Sequence, residues 1–558
     1  MANRNVESHF AQLPHVNIHR STFDRSHSLK TSFNAGDLVP FYIDEVLPGD
    51  TFHITTSKVI RMPALLTPLM DNLYLDTYFF FVPNRLVWDH WREFQGENTQ
   101  SAWLPTTEYE VPQLTSPSGT GWNIGTLADY FGIPTGVPNL SVNALPFRAY
   151  SLICNEWFRD ENLTDPLLTP TDDTTVAGVN TGNYITDVAK GGLPFKAAKY
   201  HDYFTSCLPA PQKGPDVTIP VGVTGPQPVL ATTSAIPGDV GAGIRAPLYG
   251  DLRVSGNQIP RVLLGAQTPV PAPAQFGSPA SNPPGVGDDG FYPRNLWAYP
   301  SGDVAVATIN QLRMAFQVQK LYEKDARGGT RYIEILKEHF GVTSPDARLQ
   351  RPEYLGGNRI PINVSQVLQQ SETTATSPQG TPVGMSLTAD THGDVHKSFV
   401  EHGFVIGLMV VRYHHTYQQG LERFWSRRDR FDYYFPVFAN IGEQAVLNKE
   451  IYAQGTSKDD EVFGYNEAWA DYRFKPSHVT GEMRSQSAQS LDVWHLGDDY
   501  DQLPSLSDAW IREDGATVDR VLAVTSDITH QFFADIYVQC RSTRPMPVYS
   551  VPGLIDHH

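Results

Sequence analysis

The stretch Asp390-Thr391-His392-Gly393-Asp394-Val395-His396 sets two imidazoles and two carboxylates, the groups that bind divalent ions, at alternate positions. Side chains of an extended strand alternate between faces, so Asp390, His392, Asp394 and His396 would point to one side and could hold zinc or another divalent ion. The competing reading is a polar loop or a subunit contact, because one strand seldom supplies every ligand. A divalent cation there is the only cofactor the chain suggests.

A second constellation lies in residues 412–430, where Arg423, Arg427, Arg428 and Arg430 alternate with Tyr417, Phe424 and Trp425. Guanidinium groups pair with phosphate while aromatic faces stack on unpaired bases, each stack contributing ~1–3 kcal/mol without strong sequence preference. Glu422 and Asp429 offer the same arginines internal ion pairs, so a buried core or intersubunit network is the alternative. Arg4, Arg20, Arg25 and Lys30, with only Glu7 and Asp24 opposing them in the first 30 residues, form a third patch suited to nucleic acid or to clamping a neighbouring subunit.

Catalytic chemistry finds no such support: the chain has no phosphate-binding GxxxxGK[ST] loop, no HExxH and no GxSxG elbow. A carbohydrate-active β-sandwich enzyme would need paired carboxylates across a cleft. Asp498-Asp499 and Asp459-Asp460-Glu461 are adjacent clusters that read as solvated loops, so no catalytic residue is assigned.

The elements that must carry these residues are mainly strands. Residues 51–60 and 73–82 are rich in β-branched and aromatic types, with Leu73, Leu75, Thr77, Phe79 and Phe81 on one side and Tyr74, Tyr78, Phe80 and Val82 on the other. Both faces of that second strand are apolar enough to be buried. Further strands are expected at 403–413, 518–525 and 531–540. Strands at both ends of the chain imply pairing of distant segments, which favours a Greek-key or jelly-roll sandwich over an α/β fold.

Helices are expected at 306–325, where Ile309, Leu312, Phe316 and Leu321 recur near helical spacing before Gly328-Gly329, at 331–340, and more weakly at 149–159. Residues 1–50 read as an extended arm. Residues 51–207 and 301–558 read as the sandwich domain. Between them, 208–300 hold 17 of the chain's 43 prolines but only ten charged residues, which is less polar than a free linker and suggests an ordered surface insertion.

At 558 residues with a formal charge of -18, the chain is no general nucleic-acid coat acting through overall basicity, so any contact with nucleic acid must be local. Charged residues are 18% of the chain, below the usual ~25%, which suits a protein that hides surface against other copies or, equally, a large enzyme with a generous core. Cys154, Cys207 and Cys540 lie far apart without CxxC spacing, as expected for assembly in a reducing cytoplasm. The start has no apolar core of the signal-peptide type, and the longest uncharged apolar run, 404–411, is far short of the ~20 residues that cross a bilayer. A soluble product is expected.

One set of strings carries more. It begins with Phe23-Asp24-Arg25-Ser26-His27, Lys30-Thr31, Phe33-Asn34-Ala35-Gly36-Asp37-Leu38-Val39-Pro40-Phe41 and Asp44-Glu45-Val46-Leu47-Pro48-Gly49-Asp50. It continues with Arg348-Leu349-Gln350-Arg351-Pro352-Glu353-Tyr354, Asn466-Glu467-Ala468-Trp469-Ala470-Asp471-Tyr472-Arg473, Leu491-Asp492-Val493-Trp494-His495 and the closing Pro547-Val548-Tyr549-Ser550-Val551-Pro552-Gly553-Leu554. In these strings the chain resembles the major capsid proteins of gokushoviruses, in the microvirus family.

The resemblance implies an all-β chain with minor α content, folded as an eight-stranded viral jelly roll with long insertion loops. It also implies pentamers within an icosahedral shell around a circular single-stranded DNA genome. The partners it implies are an internal scaffolding protein, a small basic DNA-packaging protein, a DNA pilot protein and a host surface receptor. Assembly would take place in the bacterial cytoplasm. In that family a large insertion forms a surface protrusion, a role that 208–300 would fill. A non-viral adhesion module on the same sandwich is the remaining rival.

Overall fold

The computed structural model describes residues 18–99, 107–217, 309–371, 373–374 and 378–550, together with the backbone of seven short strands between 222 and 305. The chain is mostly β-strand in antiparallel sheets, with minor helix. Nine strands build the two larger sheets: β1 (Ser21–Asp24), β2 (His27–Phe33), β3 (Val39–Val46), β4 (Thr51–Arg61), β5 (Leu73–Pro83), β6 (Glu353–Pro361), β7 (Thr388–Ser398), β8 (Gly403–Tyr413) and β9 (Phe532–Arg544). One sheet runs β1–β9–β4–β7, with β2 following β1 along the same edge of β9. The other runs β6–β5–β8–β3.

The alternation of β9 fits a sheet with one dry and one wet face. Phe532, Ala534, Ile536, Val538 and Cys540 are buried, while Asp535, Tyr537, Gln539 and Arg541 face outward. The inward side chains meet Leu75, Phe79, Phe81, Val405, Met409 and Val411 of the second sheet in one core. β8 is buried on both faces, as its unbroken apolar run requires. Its other side, Phe404, Ile406, Leu408 and Val410, joins Phe80 and Val82 of β5 in a second core with Trp88, Trp122, Phe147 and Tyr150. The expected two-faced burial of β5 is therefore what the structure has.

Three expectations need correction. Residues 21–46, read as an arm, form β1, β2 and β3 of the sandwich. Their polar, glycine-punctuated pattern hid this, because β1 and β2 are defined by pairing with β9 far along the chain rather than by local periodicity. Gly36, at φ +81, makes the turn before β3 against the Glu513 carbonyl, where a Cβ would sit 2.5 Å from that oxygen.

Residues 518–525 form no strand. A single helical turn, Ala516–Asp519, runs into this segment, and Val518, Val521 and Leu522 fill the intersheet core at spacings of three and four, which is the helical period. The weak helix expected at 149–159 is α1 (Leu145–Ile153), which widens into a looser turn at Cys154–Phe158.

Helices α2 (Ile309–Gly328) and α3 (Tyr332–Phe340) lie close to their expected positions, and residues 306–308 fall outside the described residues. The chain divides into two compact units, Met1–Lys213 with Tyr322–His558, and Gly214–Leu321. Within the second, Leu248–Val254 and Asn257–Leu263 form an antiparallel hairpin. Most of 208–300 lies outside the described residues. No helix among the described residues is long and apolar enough to cross a membrane.

Candidate nucleic-acid interface

On β7 the four residues expected to share a face do not. A bulge between Gly393 and Val395 shifts the register against β4, so His396 turns away from Asp390, His392 and Asp394. His396 instead meets His53 on the exposed face, with the two Nδ1 atoms 3.2 Å apart. Asp394 is buried, accepts a hydrogen bond from the Thr56 hydroxyl and lies 3.2 Å from His392 Nδ1. Asp390 accepts from Asn358 and stands 3.9 Å from the amine of Lys58, a fully buried side chain whose pKa is pushed down by burial. The two carboxylates thus compensate an internal ammonium. Among the described residues no group of three or more His, Cys, Asp or Glu is arranged to hold a metal ion.

The basic residues of the amino-terminal patch are dispersed. Arg4 lies outside the described residues, and Arg20 is exposed. Arg25 is paired with Asp44, and Lys30 lies 3.5 Å from Asp535 on the outer face of β2.

The 412–430 constellation divides in two. Arg423 donates to the Ala445 carbonyl at 2.7 Å and to Glu450 at 3.4 Å. Arg427 pairs with Asp471 and stacks 4.3 Å above the Tyr472 ring. With Lys475, which lies 3.3 Å from Glu422, these groups line a cavity of about 270 Å3 between Tyr203, Phe204, Phe424 and Phe474. Its three cations and three carboxylates cancel, so it offers a phosphate little. Arg428 and Arg430 are exposed and make no ion pair among the described residues.

A second cavity, of about 370 Å3, has a different balance. β5 supplies Tyr78 and Phe80, β6 supplies Tyr354, and the end of β8 supplies Arg412. The turn after α1 adds Trp157, Phe158, Arg159 and Asp160, a loop adds Lys199, Tyr200 and His201, and the residue before α3 adds Arg331. The rings form a continuous wall: Phe80 lies 5.3 Å from Trp157 and 5.7 Å from Tyr354, and Tyr78 meets Phe158 edge-on at 5.1 Å.

Arg412 and Arg331 have carboxylate partners. Arg412 reaches Asp76 at 2.6 Å, and Arg331 reaches Glu161 at 3.0 Å. Arg159, Lys199 and His201 make no ion pair among the described residues, and Asp160 is the one acid in the lining. The Arg159 guanidinium donates to the Thr164 carbonyl at 2.9 Å but its buried Nε has no partner, and burial together with nearby Arg331 pushes its pKa down. This cavity draws on six segments between residues 78 and 412, so no local spacing announces it. The run Trp157-Phe158-Arg159 is its single local sign.

Comparison with known proteins places this geometry in context. Residues 11–554 match the family model described as "Capsid protein (F protein)". The chain is similar to Capsid protein VP1 of Spiroplasma virus 4, at 44% identity over 559 residues and 99% of each chain. It is also similar to Capsid protein VP1 of Bdellovibrio phage phiMH2K, at 43% over 560 residues and 99% of each, and of Chlamydia phage 1, at 42% over 602 residues and 98% of each. With a match along nearly its whole length and an antiparallel two-sheet architecture beneath it, this chain belongs to the phage capsid (F protein) family.

Proposed function

We propose that the chain is the major shell subunit of an icosahedral phage particle of the gokushovirus kind, enclosing a circular single-stranded DNA genome. The observation that carries this reading is the family match over residues 11–554. The fold supports it in finer detail. With β1 and β2 counted as one interrupted strand, the orders β1/β2–β9–β4–β7 and β6–β5–β8–β3 are those of an eight-stranded jelly roll closed by pairing its first strand with its last.

Exposed side chains support association with further copies. Trp425, Phe431, Tyr433 and Val437 stand in solvent within one short segment, a density of apolar surface that suits burial between subunits. The buried free thiols of Cys154, Cys207 and Cys540 accord with assembly in the host cytoplasm.

An acidic wall around a polyanion needs other cations, which fits a small basic DNA-packaging protein inside the particle. An internal scaffolding protein and a DNA pilot protein join the list through family resemblance alone. Residues 208–300 are the surface protrusion of this reading, and a proline-rich segment loses less entropy when it meets a host receptor.

Size-exclusion chromatography and negative-stain microscopy of the expressed chain test the proposal. Pentamers or closed symmetric particles are expected. A protein that stays monomeric at high concentration refutes it.

A further inference from the structure

We propose that the cavity walled by Tyr78, Trp157 and Tyr354 is a nucleotide site, taking one unstacked base against its rings and the attached phosphate against Arg159. The inference rests on the reading of the chain as a nucleic-acid-enclosing shell and goes beyond it by assigning a place and a mode of contact.

Two features point to a single ligand carrying both a flat ring and an anion. The wall offers several aromatic faces in van der Waals reach of one another across about 370 Å3, room for one base rather than a stacked pair. The rim offers Arg159, which makes no ion pair among the described residues and has a buried unpaired Nε, with the imidazole of exposed His201 beside it. An acidic side chain from a protein would use the cations and leave the rings bare. A neutral apolar residue would do the reverse. A nucleotide joins a π-face to a phosphate within one residue's reach and uses both.

The neighbouring structure keeps the site open and rigid. Trp157 donates its indole N–H to the Pro352 carbonyl at 3.1 Å and carries the Arg351 guanidinium 4.2 Å above its ring, so one face is covered from behind. Asp76, hydrogen-bonded by Arg412, Arg359 and Tyr200, fixes the back of the cavity. The contrast with the charge-balanced cavity around Arg423 and Arg427 is the reason for choosing this one.

The test uses the full chain and a labelled oligothymidylate of about ten nucleotides, followed by anisotropy and by tryptophan fluorescence. Binding should quench tryptophan emission, and Trp157→Phe, which keeps a stacking ring, should remove that part of the quench while retaining affinity. Arg159→Gln should weaken binding about fivefold and flatten the dependence of log K on log salt by about 0.7. Tyr354→Leu, at a partly exposed ring, should weaken it roughly tenfold.

Folded Arg159→Gln and Tyr354→Leu variants that bind as the parent does, or a quench unaffected by Trp157→Phe, overturn the site. So does an oligoglutamate of equal charge binding as tightly as the oligonucleotide, which would make a protein segment the occupant. These solution measurements stand apart from particle formation. Normal particles with unaltered oligonucleotide binding in the Arg159→Gln and Tyr354→Leu variants would refute the site alone, whereas failure of the parent chain to associate would refute the shell reading alone.

Discussion

His415 sits in the dry interior between Asp498, at 2.9 Å from its Nδ1, and Glu513, at 3.2 Å from its Nε2. Burial alone would strip its proton, but the two carboxylates outweigh that and raise its pKa to about 9. The folded value exceeds the unfolded one of about 6.5, so the stabilisation is complete below about pH 6.5 and is lost as pH rises from there through about 9. Unfolding free energies measured from pH 6 to 10 should fall by an amount on the order of 3 kcal/mol, and His415→Gln should be less stable at pH 6 with a flatter profile. Adjacency alone reads Asp498-Asp499 as solvated loop acids. Asp498 is buried because its partner lies 83 positions away, a relationship adjacency does not reveal. Lys58 was missed in the same way: it occupies an inward position of a well-recognised strand, and only the facing strand of aspartates accounts for it.

β5 carries its own electrostatic anchor in Asp76, a nearly buried carboxylate bound by Arg359 at 2.7 Å, Arg412 at 2.6 Å and the Tyr200 hydroxyl at 2.7 Å. Burial pushes its pKa up, but these hydrogen bonds and charges outweigh it and hold the carboxyl below its ordinary range, so its contribution is present at neutral pH and lost only on strong acidification. Asp76→Asn should destabilise the chain by about 2–3 kcal/mol in urea unfolding, less than for a wholly buried pair because Arg359 is half exposed. Strands were legible where a single strand holds its own pattern: β8 has the expected limits, and β4 and β9 differ from theirs by a few residues at most. They were illegible where a partner supplies the pattern, as in β1 and β2, or where a bulge breaks the period of two, as in β7. Val518, Val521 and Leu522 were apolar enough for a strand, but their spacing was that of a helical turn.

The fold class followed from strands at both ends of the chain, whereas the cationic cavity was invisible because six separated segments meet only after the sheets have formed. Removing residues 215–290 from the separate unit at 214–321 should leave a chain that still assembles, checked by sedimentation and microscopy, while the particles lose adsorption to their host. Normal adsorption would refute the receptor role given to the insertion. The pairing of β1 and β2 with β9 has a temporal consequence. Thr22 and Thr543, whose hydroxyls lie 2.9 Å apart, are separated by 521 positions, and β9 is the strand that joins β4 to the beginning of the chain. While the ribosome is still translating the middle of the message, that sheet has a gap where its central strand belongs. Closure waits until residues 532–544 have been made. A polypeptide released before β9 is made therefore keeps an open sheet and lacks the finished wall, so synthesis of that strand itself screens which molecules are fit to enter a particle.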